Sequence, residues 1–167
     1  MKATLHLAIS ADGFIAKMNG DSDWVMSIDE ALFKTRAKEA GCLVIGRKTY
    51  EQYKDSIYPV EGVVNIVLTS NSNLKIKGAT VVNTPTTAVK FAKEKGCANI
   101  LIAGGAQTSA TFLSAGFIDE IFFSVHPLIL GQGIKPFTGI ISECKVKLID
   151  TKELGDGLVE LHYEVLK

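Results

Sequence analysis

Paired or clustered cysteines are missing from this chain. Cys42, Cys97 and Cys144 are odd in number, far apart and free of any CxxC spacing. They read as reduced thiols in a cytosolic protein, not as a disulfide framework or a thiolate zinc site. No His/Cys/carboxylate cluster has metal-ligand spacing, so no metal is expected. An excess of one charge is also missing: 18 Lys plus Arg balance 18 Asp plus Glu, which argues against a nucleic-acid surface or a polybasic membrane surface. No apolar run approaches the about 18 residues of a membrane span. The start, "MKATLHLAIS", lacks the apolar core of a signal peptide. The expectations are a cytoplasmic location and no membrane partner. Repeats, low-complexity tracts and linkers are absent, so residues 1–167 read as one domain, long enough to bury a real core. Neither GxGxxG nor GxxxxGK[ST] occurs.

What remains has the profile of a globular protein, 47% hydrophobic and 22% charged. Buried strands are expected at 3–10, 42–46, 63–70, 80–82 and 99–105, and a long one over "DEIFFSVHPLIL" interrupted by Pro127. Ser27 followed by Glu30 predicts a capping box opening a helix that runs to about Ala40, with Gly41 as its left-handed stop. A short helix should cover about 48–54. Thr84 as N-cap, Pro85 at the first position and Gly96 as stop frame another. A helix over about 107–115 should end at Gly116. The C-terminal "LVELHYEVLK" alternates, with Val159, Leu161, Tyr163 and Val165 on one face. Glu160, His162 and Glu164 form the other, read as a wet face. Strands alternating with helices, then strands alone, predict a three-layer α/β fold with a mainly parallel central sheet finished by antiparallel strands.

Two strand-to-helix turns stand out. In "IGRKTYEQY", Gly46 is followed by Arg47, Lys48 and Thr49 at a helix start. The helix dipole disfavours cations there, which makes an anionic ligand the better reading; Arg47 can grip a phosphate bidentately and Thr49 can donate to one. In "AGGAQTSATFL", Gly104 and Gly105 let backbone approach a ligand, and the free N–H groups beyond them favour a phosphate. Together the turns suit a dinucleotide carrying an extra phosphate, which means NADP, not NAD.

For chemistry, Asp29, Phe33 and Arg36 share one helix face at i, i+4 and i+7. They offer a carboxylate, a stacking ring and a cation together. Desolvation should raise the pKa of Asp29, suiting it as a proton donor or as a partner for an amino-pyrimidine edge; the dipole alone also favours a carboxylate in a first turn. Asp12, in an Asp-Gly turn after the first strand, is the second candidate. Trp24 either covers a substrate or anchors its loop. His6 and His126, inside apolar strands, read as core or edge histidines.

The segments "LHLAISADGFIA", "DWVMSIDEALF", "IGRKTYE", "VLTSN", "ILIAGGAQT" and "DEIFFSVHPLILGQG" together resemble the dihydrofolate-reductase-like superfamily. The chain looks most like the reductase (C-terminal) domain of the riboflavin-biosynthesis bifunctional deaminase-reductase and its stand-alone relatives. "GRKTYE" is closer in style to dihydrofolate reductase proper. The resemblance implies NADPH across the strand ends and reduction of a heterocyclic or ribosylamino substrate. It assigns Gly46, Arg47, Lys48 and Thr49 to the cofactor phosphates. Thr69, Ser70 and Asn71 would border the adenosine and its 2′-phosphate. Gly104, Gly105, Ala106, Gln107 and Thr108 would hold the pyrophosphate, and Ala8 and Ile15 would flank the nicotinamide. Ser124 matches a hydroxyl beside the Asp29 carboxylate, and Trp24, Phe33 and Arg36 would face substrate. The reaction implied is hydride delivery to a phosphoribosylamino-pyrimidine. The alternatives are dihydrofolate or pterin reduction and, in another class, an NADPH-binding protein without turnover. Deamination is excluded: the one HxE, at 162–164, lies in an alternating strand and no CxxC accompanies it. Such relatives often form homodimers.

Overall fold

The computed structural model describes residues 1–139 and 142–167. The elements are β1 (Ala3–Ser10), α1 (Ser27–Ala40), β2 (Cys42–Gly46), α2 (Arg47–Tyr53), β3 (Val64–Leu68), β4 (Thr80–Val82), α3 (Pro85–Glu94), β5 (Ile100–Ile102), α4 (Ala106–Ser114), β6 (Glu120–His126), β7 (Val146–Gly155) and β8 (Leu158–Val165). The strands form one sheet in the order β4-β3-β2-β5-β1-β6-β8-β7. Pairs from β4 to β6 are parallel, and β8 runs antiparallel to both β6 and β7. This is the expected α/β architecture.

The three layers follow from strand alternation. Leu5, Leu7, Val44, Ile100 and Ile102 face Ala88 and Ala92 of α3 and Phe112 of α4. Leu43, Ile45, Val67 and Leu101 face Ala37 and Ala40 of α1 and Tyr50 of α2. With α1 and α2 on one face, the chain steps from β1 through β2 and β3 to β4. With α3 and α4 on the other, it returns past β2 to β5 and then β6. The direction of winding therefore reverses between β2 and β5. Ligands of open α/β sheets bind beyond the carboxyl ends of the strands at such a point, and the two notable turns, Gly46–Thr49 and Gly104–Thr108, are the exits of these same strands.

Three sequence expectations change, while the cap of α3 holds. The capping box at Ser27 does not form: the N-cap is Met26, with no side-chain cap, and Met26 O accepts from the N–H groups of Asp29 and Glu30. Thr84 caps α3 as expected, with Thr87 as its reciprocal partner. The β6 strand stops at His126 because Pro127 has no N–H for the ladder. The face expected to be wet on β8 is largely covered. Glu160 is buried under Arg36, which reaches from α1 across the Phe122 ring to it, and His162 stacks on Phe122, its cross-strand partner in β6. Two distant thiols also meet. The sulphurs of Cys42 and Cys97 lie 2.8 Å apart, and burial, then the neighbouring thiol, pushes the Cys42 thiol up. No helix among the described residues is long and apolar enough to cross a membrane.

Candidate active site

At the switch point the two turns are in contact. Gly46 N–H donates to Gly104 O at 2.8 Å. A Cβ on Gly46 would stand 2.5 Å from Thr108 Oγ1, and one on Gly105 would stand 3.0 Å from Thr49 Oγ1. Gly104 has φ +82, and a Cβ there would meet Leu7 Cδ2 at 2.9 Å. Only glycine lets the turns close on each other. The Gly104–Gly105 peptide is cis. The N-terminus of α2 and that of α4, beyond Gly105, thus open onto one cleft of about 1220 Å³.

Of the residues singled out in the sequence, Gly46, Arg47, Lys48, Thr49, Thr69, Ser70, Gly105, Ala106, Gln107 and Thr108 line one end of this cleft. Gly104 sits behind Gly105, and Asn71 is turned into its own loop, where Oδ1 accepts from Asn73 N–H. Arg47 makes an i,i+4 pair with Glu51 at 3.0 Å, both side chains near half exposed. Such a pair is weak and easily redirected to a phosphate. Lys48 is exposed, with no ion pair among the described residues.

The other end is lined by Ala8 and Ile15, by the loop after them, and by Asp29 and Phe33 of α1. Asp29 is only 2% exposed. Its Oδ1 lies 3.0 Å from His6 Nε2, while His6 Nδ1 lies 2.9 Å from Arg36 Nη1. A guanidinium has no acceptor. His6 Nδ1 therefore accepts, and Nε2 carries the proton it donates to Asp29. His126 is fixed the other way: its Nδ1 donates to Ser124 O at 2.9 Å and its Nε2 accepts from Met26 N–H at 3.2 Å. Arg36 itself forks onto Glu160 at 2.6 and 2.7 Å and lies 3.8 Å over the Phe122 ring. The arrangement is a buried relay, Glu160–Arg36–His6–Asp29, under the cleft floor.

The relay corrects the sequence reading of Asp29. Burial alone would raise its carboxyl, but contact with His6, then Ser124, holds it below the ordinary aspartate value. With the imidazole in the neutral tautomer, the hydrogen bond is the part of the His6 effect that persists. Asp29 is a buried carboxylate, poorly suited to giving up a proton. Its stabilising contribution is complete above the unfolded-state value of about 3.9. It is lost as pH falls from there through the lowered folded value. Thermal unfolding below pH about 4 should therefore steepen for the native chain relative to Asp29→Asn; parallel pH dependences would contradict the pairing.

Other candidates lie elsewhere. Asp12 does not line the cleft. Ser10 Oγ and the N–H groups of Leu130 and Gly131 hydrogen-bond its carboxylate, tying the turn after β1 to the 128–131 segment, and the Ser10 hydroxyl chiefly keeps its pKa low. Trp24 stands edge-on to His126, ring centroids 5.0 Å apart, with its Nε1 buried and unpartnered; it anchors the loop and is outside the cleft lining. Arg36 points into the relay, away from the cleft. Ser124 Oγ is buried without a hydrogen-bond partner; beside Asp29 it acts as a dipole, not a formed bond. Phe33 meets His6 and Tyr58 edge-on. His6 is the residue that sequence reasoning missed. Its signal was alternation in β1: Leu5 and Leu7 point to one core, so His6 must point to the α1 side with Ala8.

The family model described as RibD C-terminal domain matches residues 1–160. The Bacillus subtilis protein YwjB, itself uncharacterized, is 33% identical, covering 97% of each chain. A Thermotoga maritima structure carries a name that joins a diaminohydroxyphosphoribosylaminopyrimidine deaminase and a 5-amino-6-(5-phosphoribosylamino)uracil reductase. It superposes with TM-score 0.81 at 18% identity, covering 99% of this chain and 56% of that one. Enterococcus faecalis dihydrofolate reductase complexed with NADP(H) superposes with TM-score 0.75 at 21% identity, over 99% of this chain and 97% of that one. At these identities the structural likenesses establish a shared fold.

Proposed function

Since the chain belongs to the RibD C-terminal domain family, a family with a reductase role, we propose that it is an NADPH-dependent reductase acting on a ribosylamino-pyrimidine. The observation that carries this reading is the hydrogen bond joining the Gly46 and Gly104 turns. It sets two helix N-termini, with Arg47 and Lys48 beside one of them, around a single polyphosphate-sized space. Gly46–Thr49 and Gly105–Thr108 hold the cofactor phosphates, and Thr69 and Ser70 border the adenosine end. Ala8 and Ile15 present an apolar floor to the nicotinamide, which keeps water from the transfer path.

When bound, NADPH supplies the hydride. The chain's own residues orient the acceptor. Asp29, ionised and locked by His6 Nε2–H, accepts from N–H donors on the pyrimidine edge, and Phe33 packs on the ring. Hydride delivery to the ribosylamino carbon breaks its bond to the ring oxygen and opens the sugar, and the released oxygen takes its proton from water, because Asp29 is held as a carboxylate. Pterin reduction is the second reading, favoured by the Asp29–Phe33 pair. Steady-state loss of reduced-nicotinamide absorbance with each substrate class separates the two, and NADPH binding without oxidation by either identifies a binding protein.

Cofactor choice gives a separate expectation. Replacing Arg47 and Lys48 with Ala should weaken NADPH by about 1–3 kcal/mol per lost charged hydrogen bond, with NADH little changed. Equal losses for both, measured by calorimetry, would contradict a 2′-phosphate contact.

A further inference from the structure

Cys42 and Cys97 belong to neither the cleft lining nor the relay. Cys42 opens β2, and Cys97 lies in the turn between α3 and β5. These two strands are neighbours in the sheet, with Leu43 beside Leu101 and Val44 beside Ile102. At their exits, Gly46 N–H donates to Gly104 O, the contact that joins the two turns over the cleft. At their entrances, Asn99 N–H donates to Ala40 O, and the Cys42 and Cys97 sulphurs stand 2.8 Å apart. A movement of about 1 Å brings them to bonding distance. The backbones are close as well: a Cβ on Gly41 would stand 3.9 Å from Cys97 Cα.

The two thiols differ in access. Cys42 is fully buried, whereas Cys97 is partly exposed. Burial pushes the Cys42 thiol up, which makes it inert toward reagents in solvent. An oxidant arriving from solvent therefore meets Cys97 first. A metal is a poor alternative partner, because among the described residues no group of three or more His, Cys, Asp or Glu could hold one. Cys144 is exposed, with its Sγ against Lys145 O, and has no thiol beside it among the described residues.

We propose that Cys42 and Cys97 form a redox modification site, at which a hydroperoxide converts the two thiols into a disulfide that staples β2 to the turn entering β5. The Cys97 sulphur attacks the peroxide. An S–O bond forms, the O–O bond breaks, and water or an alcohol leaves, so that Cys97 becomes a sulfenic acid. The Cys42 sulphur then attacks the Cys97 sulphur. The S–S bond forms, the S–O bond breaks, and the departing hydroxide takes the Cys42 proton and leaves as water. The thiols lose two electrons and two protons, and the peroxide gains both. A thiol reductant reverses the change. The bridge joins residues 55 apart in the chain, so it acts mainly by restricting the unfolded state. It secures the strand pair that carries both turns without touching a residue of the cleft.

The test uses the full chain as Cys144→Ser, which removes the exposed thiol. Hydrogen peroxide is added, and intact mass, free-thiol count, a peptide map and thermal unfolding are followed, each with and without dithiothreitol. The chain should lose the mass of two hydrogens and both thiols, with the Cys42 and Cys97 peptides linked. Tm should rise by about 5 °C or more and return on reduction. The further variant Cys97→Ser should show neither the mass loss nor the rise in Tm. Oxygen added at Cys97 while Cys42 stays a free thiol would overturn the proposal. So would linkage between two chains, or an intramolecular disulfide that leaves Tm unchanged.

Discussion

Asp29→Asn is expected to lower kcat/KM by about 10- to 150-fold, the loss of a charged hydrogen bond worth about 1.5–3 kcal/mol, while NADPH affinity stays unchanged. The geometry gives the reason. The Asn carbonyl can still accept from His6 Nε2–H, which now reaches Asp29 Oδ1 at 3.0 Å, so the pocket keeps its shape. The other side of the amide, however, becomes a donor turned toward a donor edge of the substrate, and a buried donor facing a donor costs the substrate its orientation. The loss should fall on kcat and KM together. Steady-state rates combined with a cofactor titration check this; a variant within about threefold of the native chain would remove Asp29 from the reacting centre.

Arg36→Met should be the most destabilising single change at the site. Arg36 and Glu160 are 16% and 8% exposed at their side chains and joined by two short bonds. Removing one partner leaves the other charge buried and alone, which typically costs about 3–5 kcal/mol. It also takes the donor away from His6 Nδ1, so the imidazole is free to adopt the tautomer that turns a bare nitrogen toward Asp29. The double variant Arg36→Met with Glu160→Leu should recover most of the stability, because an apolar pair of similar volume often replaces a buried ion pair without loss. It should not recover activity, since the His6 tautomer stays unfixed. Urea denaturation of the three chains reads the first effect and turnover reads the second. A single variant within about 1 kcal/mol of the native chain would show that the pair is no more than a surface bridge.

Much of this was legible in the sequence because local rules and the global fold agreed. Glycine exits, the continuously apolar "CLVIG" and "NILIAGG" and the Thr84–Pro85 helix start all carry signals that depend on a few neighbouring residues, and β2, β5 and α3 lie where these signals put them. What stayed hidden depends on which surfaces meet. β7 escaped notice because it is an edge strand exposed along most of its length, so no alternation marks it. Glu160 sits in a pattern that reads as a solvated face. Only the reach of Arg36 from α1 over Phe122 to Glu160 turns that face into a polar interior, with Ser124 paired in register to Glu160. His6 looked like a core histidine and is buried like one, but its two ring nitrogens join partners that are 23 and 30 residues away in the chain. Asp12 and Trp24 lie near the site in sequence, yet their side chains serve the loop.

The central claim is that the Gly46–Thr49 and Gly105–Thr108 turns grip one cofactor between them. A crystal structure of the full chain with NADPH tests it directly. The account expects the pyrophosphate between those turns, the 2′-phosphate within reach of Arg47 or Lys48, and the nicotinamide over Ala8 and Ile15 with its open face toward Asp29. Density for the cofactor anywhere else, or a nicotinamide ring turned away from Asp29, would contradict it.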